Sequence, residues 1–181
     1  MDELIKNRTE ALIQMIHQLV RIIQYENLYA YHLLQQITCN RKTAIELDGC
    51  KVYLEAVCHN FNYQVTARIP NDDEEAITQF ISTSYTLRKI MAGIITIDQA
   101  IIKNEIYVQG SFEDVISMYK LTACFLAEGP LNFRLRNLWH YFNETWDNNK
   151  FPLAVIPLEN QKPKHGFLLD HIPENVLLIK I

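Results

Sequence analysis

The sequence predicts an α+β domain, and three observations predict it. Residues 2–36 contain no glycine or proline, and their apolar residues recur at helical spacing. From Lys42 the period changes to alternation, with Asp48-Gly49 between two alternating runs. After Gly110 the helical period returns behind a capping serine.

Each element follows from local pattern. Leu4, Ile5, Leu12, Ile16, Leu19, Val20, Ile23 and Leu28 mark one long helix, or two joined near Glu26-Asn27. Ala44–Leu47 and Val52–Val57 read as a hairpin about Asp48-Gly49. Tyr63–Pro70 is a third antiparallel strand reached through His59–Asn62. Asn71-Asp72-Asp73-Glu74-Glu75 suits a helix N-terminus, so a helical piece is expected after it. That run lacks the glycine and the spaced glutamate of a calcium loop, so no metal is expected there. Ser84–Ala92 reads as a helix stopped by Gly93. Thr96 with Gln99 forms a capping box for a helix over 97–103. Glu105–Gln109 alternates as a strand ending at Gly110. Ser111, with Asp114 three residues on, caps a helix that ends at Gly129-Pro130. Leu131, Leu135, Leu138, Phe142 and Trp146 continue at helical spacing. The remaining chain holds four of the six prolines and two strand-like runs, 153–158 and 176–181.

Bulk properties exclude several classes. The 181 residues are 49% hydrophobic and 21% charged, which is enough apolar mass for a packed core. The net charge is -4, and no dense basic run marks a nucleic-acid surface. The N-terminal MDELIKNRTE is not a signal peptide, and no window has the length of a membrane span. The four cysteines (Cys39, Cys50, Cys58, Cys124) form no C-x-x-C, so reduced thiols in a cytoplasmic protein are expected. Cys50 and Cys58 are expected on neighbouring strands.

Catalytic signatures are missing. With five glycines there is no phosphate-cradling loop, no nucleophile elbow and no H-E-x-x-H. The six histidines are scattered, and His165 and His171 make a poor ligand pair. Cys124 lies in an apolar helix without a fixed base, so a core role is expected. Asp98 and Glu105 read as capping or surface residues. No cofactor and no metal are expected.

The stretch TLRKIMAGIITIDQAIIKNEIYVQGSFEDVISMYKL, residues 86–121, resembles the C-terminal half of the sterol carrier protein type 2 family of lipid-binding domains. Gly93, Ala100 and Gly110 fall on that family's helix-ending glycine, central helix alanine and strand-ending glycine. Leu87, Ile90 and Met91 match the apolar positions before the first glycine, and Ile106 and Val108 those of the strand. The family's usual acidic residue or asparagine after the last glycine is Ser111 here.

The resemblance implies a five-stranded, mainly antiparallel sheet with helices on one face and a hydrophobic cavity between them. It divides the chain into an N-terminal helical segment (1–37), a core (38–129) and a C-terminal helix with a proline-rich extension packed on the core (130–181). It further implies a non-catalytic carrier of a lipid or other hydrophobic small molecule. Leu87, Ile90, Met91, Ile101, Val108, Val115, Ile116, Tyr119 and Phe125 are the lining candidates. The same fold also occurs as an accessory domain, so fold alone does not select a ligand. One rival is an interaction module or homodimer in which the N-terminal and 131–146 helices bury their stripes on a partner, with Trp139 and Trp146 as anchors. Another is an enzyme subunit with Tyr119, Cys124 or a histidine opening into the cavity.

Overall fold

A computed structural model describes residues 3–39, 42–59, 62–71 and 74–146. The strand-like runs 153–158 and 176–181, the pair His165 and His171, and most of the proline-rich extension lie outside the described residues.

The chain runs α1 (Glu3–Glu26), α2 (Leu28–Thr38), β1 (Thr43–Leu47), β2 (Cys50–His59), β3 (Asn62–Arg68), β4 (Thr78–Ser82), α3 (Ser84–Met91), α4 (Ile97–Ile102), β5 (Ile106–Gln109), α5 (Phe112–Glu128) and α6 (Phe133–Trp146). Asn27 is the break expected near residue 27. Its side-chain oxygen accepts the Ala30 N–H at 2.8 Å and starts α2 as a new helix.

The strands form one sheet in the order β3-β2-β1-β4-β5. All neighbours are antiparallel except β1 and β4, which run parallel with Ile45 opposite Phe80. The β1–β2 hairpin turns on Asp48 and Gly49, both at positive φ (50° and 80°), the backbone that an Asp-Gly turn supplies. Asp48 has a second role that spacing does not reveal. Its carboxylate accepts the Ser84 N–H at 3.1 Å and so caps the start of α3.

Strand alternation sorts residues between two faces. Leu47, Cys50, Val52, Leu54, Val65, Ala67 and Phe80 share the main core with Leu12, Met15, Ile16, Val20 and Ile23 of α1 and Leu33, Leu34 and Ile37 of α2. The other face is polar. There Arg68 pairs with Glu55 at 2.6 Å and Glu74 at 2.7 Å, and Lys42 also reaches Glu74 at 2.7 Å. Tyr53 lies fully buried under that network, with its hydroxyl donating to the Glu74 carbonyl and Arg68 over its ring. At the outer edge of the sheet, His17 Nε2 of α1 accepts the Ala67 N–H at 3.1 Å and closes part of the β3 edge.

Three expectations are corrected. The segment after the acidic run is not helical: residues 74–77 are irregular, and β4 follows. Its hydrogen bonds go to β1, a strand thirty-odd residues earlier, which no local pattern announces. Cys50 and Cys58 do not sit on neighbouring strands, because both belong to β2. Trp146 is not a surface anchor. It is buried in the main core, stacked on Phe142 at 5.1 Å, and Trp139 stacks on the other side of Phe142 at 5.1 Å. The stripes of α1 and α6 thus meet partners inside the chain.

Candidate functional site

The stretch that carried the resemblance builds one corner of the molecule: α3, α4, β5 and α5. Thr83 caps α3 by accepting the Thr86 N–H at 3.1 Å, and Gly93 leaves the helix at φ 67°. Thr96 and Gln99 form the expected reciprocal box on α4. Ala100 is fully buried beside Ile90 and Ile95, with Ile97 and Ile106 packed around them. A small side chain at that point is what brings α4 onto β5.

Gly110 is needed for space rather than for its φ. A Cβ there would stand 3.0 Å from Thr78 Cγ2 and 3.3 Å from Asp114 Oδ2. Asp114 is buried, and its Oδ2 accepts from the Ser111 N–H at 2.9 Å, the Ser111 hydroxyl at 2.8 Å and the Thr78 hydroxyl at 3.4 Å. The box thus also ties the start of α5 to β4.

The nine lining candidates do not share one environment. Leu87, Val108 and Phe125 are half-buried against the main core. Ile90 is 2% exposed within the small cluster around Ala100. Met91, Ile101, Val115 and Tyr119 are half-buried, and Ile116 is 36% exposed. The helix α5 explains the pattern. It packs against α2, yet its buried side chains are Asp114, Ser117 and Leu121. Met118, Cys124 and Phe125 lean on the core. Val115, Tyr119, Thr122 and Leu126 recur at i, i+4, i+7 and i+11 on another face and keep partial exposure. Burial pushes the Tyr119 hydroxyl pKa up, and the charge of Asp98 in α4 adds to the rise.

The titratable groups of this corner have ordinary structural partners. Lys89 donates to Glu105, whose carboxyl is held below the usual range by that bond first, with Thr86 also donating at 3.3 Å. Asp98 is buried in the first turn of α4 rather than at the surface. Burial pushes the Cys124 thiol up, away from the thiolate that a nucleophile needs, and the Glu128 charge acts in the same sense. Among the described residues, no three His, Cys, Asp or Glu side chains gather as a metal site would require, and no helix is long and apolar enough to cross a membrane.

Two features escaped the sequence reading. Arg88 of α3 is buried; its Nε donates to Asn143 at 3.1 Å and its guanidinium lies 5.7 Å from the Phe142 ring. Only the tertiary pairing of α3 with α6 could reveal that. A cleft of about 330 Å³ also opens between α1 and α6, lined by Gln18, Arg21, Ile22, Arg134, Asn137 and Leu138.

No model of a protein family matches this chain, and no curated protein matches it. Solved structures are similar in chain path. A UbiJ-SCP2 ubiquinone synthesis protein is 18% identical with a TM-score of 0.44, over 62% of this chain and 94% of its own. The apo form of sterol carrier protein 2 from Yarrowia lipolytica is 12% identical with a TM-score of 0.39, over 59% of this chain and 86% of its own. The sterol carrier protein domain 2 of Helicoverpa armigera is 15% identical with a TM-score of 0.37, over 60% and 85%. Among the described residues the structure is α+β, with a five-stranded mixed sheet and six helices.

Proposed function

We propose that this protein binds a lipid or other hydrophobic small molecule, without chemistry, along the half-exposed face of α5 that carries Val115, Tyr119 and Leu126. One observation carries the reading: the residues α5 buries are two polar side chains and one leucine, while Val115, Tyr119 and Leu126 stay half-buried in a row. A helix that serves only the core would reverse that distribution. Met91, Ile101, Val115, Ile116 and Tyr119 are the proposed contacts. Of the other candidates, Leu87, Val108 and Phe125 pack against the main core and Ile90 within the cluster around Ala100. Apolar burial, at about 25 cal/mol per Å² before ordering costs, would drive binding. The Tyr119 hydroxyl would orient a polar end.

Melting in the presence of fatty acyl, sterol and isoprenoid compounds tests the reading. A ligand at a hundredfold excess over its Kd stabilises the folded form by about 2.7 kcal/mol. That corresponds to a rise in Tm of about 5–10 °C for a chain of this size. Val115→Trp covers the proposed contact face with a bulky side chain at a half-exposed position, and should abolish the rise while leaving the free protein's Tm within a few degrees. A panel that moves no melting curve removes the reading.

A further inference from the structure

The strand β3 is an edge of the sheet, and its Ala67 N–H is taken by His17 Nε2 of α1, at 3.1 Å, rather than by β2. A backbone N–H can only donate, so that ring nitrogen carries a lone pair and not a proton. The bond therefore requires a neutral imidazole, with its proton on Nδ1. Imidazole is the side chain that ordinarily changes charge close to neutrality, at about pH 6.5.

The surroundings offer a protonated ring nothing in exchange. Strand alternation turns Val52, Leu54, Val65 and Ala67 toward the helices. It turns Lys51, Glu55 and Arg68 to the opposite face, where Glu55 and Arg68 pair with each other. On α1 itself, Arg21 is one turn on, about 6 Å along the axis, whereas Glu10 is two turns back, at about 10 Å. Helix α2 brings Tyr29, Tyr31 and His32, the last within 3.1 Å of Gln35. Helix α6 brings Arg134, Arg136, His140 and Glu144; Arg134 pairs with Glu26, and Glu144 with His140. Among the described residues, no carboxylate pairs with His17. A second proton on the ring would set two donors face to face, a turn away from a cation.

We propose that His17 is a proton-operated latch on the β3 edge: the neutral ring closes it, and the protonated ring releases it. The helix itself stays in place. Leu12, Met15, Ile16, Val20 and Ile23 hold α1 in the main core, and one hydrogen bond is small beside that burial. What opens is local, the Ala67 N–H and with it a stretch of strand edge able to pair with another strand. Only the neutral ring makes the bond, so the closed edge is present above the titration of the imidazole and lost as the pH falls through it. At about pH 5.5, about one imidazole in ten remains neutral. The latch is independent of the α5 face and works whether or not a ligand binds there.

Amide hydrogen exchange, followed by NMR on the full-length protein and corrected for intrinsic rates, is the test. Between about pH 7.5 and about pH 5.5 the protection of Ala67 should fall about tenfold, while that of Val52 in the interior strand β2 should hold within about twofold. The His17 Cε1–H chemical shift, read in the same samples, should move over the same pH range. His17→Gln places an amide oxygen close to where Nε2 stands and takes up no proton, so its Ala67 protection should not depend on pH. His17→Phe keeps a ring without an acceptor, so its Ala67 protection should sit at the acid level of the wild type at both pH values. The proposal is overturned if Ala67 in the wild type ignores pH, or follows a midpoint different from that of the ring. It is equally overturned if protection falls as far in His17→Gln as in the wild type, or if His17→Phe protects Ala67 as well as the wild type does at about pH 7.5. The wild-type arm decides even where a variant fails to fold.

Discussion

Replacing Asp114 with alanine tests how the candidate corner is held together. Asp114 Oδ2 accepts from the Ser111 N–H and hydroxyl at 2.9 and 2.8 Å, and from the buried Thr78 hydroxyl at 3.4 Å. Ser111 still caps α5 through the backbone N–H of residue 114, and as it is exposed, water replaces much of what it loses, so losing the two bonds to the Asp114 carboxylate costs about 1 kcal/mol. Thr78 is fully buried and gets no such replacement. Its bond is long, so the cost falls at the low end for an unsatisfied buried group, about 1 kcal/mol. Removing an acid from the first turn of α5 adds about 0.5 kcal/mol through the helix dipole. The total is about 2–3 kcal/mol, or a fall in Tm of about 5–10 °C. Asp114→Asn keeps an acceptor oxygen and should cost less than half as much. Urea denaturation followed by circular dichroism measures both, with the slope unchanged. If alanine costs under about 0.5 kcal/mol, or asparagine costs as much as alanine, the α5–β4 tie argued here is wrong.

Three further outcomes follow from the geometry. The Glu74 carboxyl is lowered from 4.5 to about 2 by Arg68 first, then by Lys42 and the Asn71 N–H. A depressed carboxyl contributes stability above its unfolded pKa and loses it as the pH falls through the folded one, so this contribution should fade between about pH 4.5 and about pH 2. Urea midpoints at about pH 6 and about pH 3 should differ less in Glu74→Gln than in the wild type, and an equal drop in both would contradict the assignment. Ile90→Ala empties the small cluster around Ala100 and should cost about 2–4 kcal/mol in denaturant titration, whereas a loss under about 1 kcal/mol would mean that the corner is loosely packed. Gly49→Ala meets nothing within 4 Å, so its cost of about 1 kcal/mol is purely that of positive φ; Gly49→Asn should recover part of it, and equal losses would point to another cause.

Features written in neighbouring residues were legible in the sequence. The Asn27 break, the Asp48-Gly49 turn, the Thr96 and Ser111 boxes and the Gly93 stop each depend on contacts within a few positions, and each is present. The strand β4 was not legible. TQFIS follows four acids, and its pairing with β1 is set by tertiary structure. The second role of Asp48, as acceptor of the Ser84 N–H at the start of α3, and the burial of Arg88 against α6 are long-range for the same reason. Trp139 and Trp146 illustrate a related limit. Periodicity shows that a helix has an apolar stripe, and only packing shows whether that stripe meets its own chain or another. At the site, the residue types were legible but their division was not. Burial separates Ile90 and the core-facing Leu87, Val108 and Phe125 from the half-exposed Val115 and Tyr119, and all of them read alike as apolar letters.

Native mass spectrometry of freshly isolated protein, followed by organic extraction, tests the central claim most directly. The account predicts a defined hydrophobic mass above that of the polypeptide, released on extraction and absent from Val115→Trp. A bare polypeptide from gentle isolation, unchanged after incubation with the lipid panel, would contradict it.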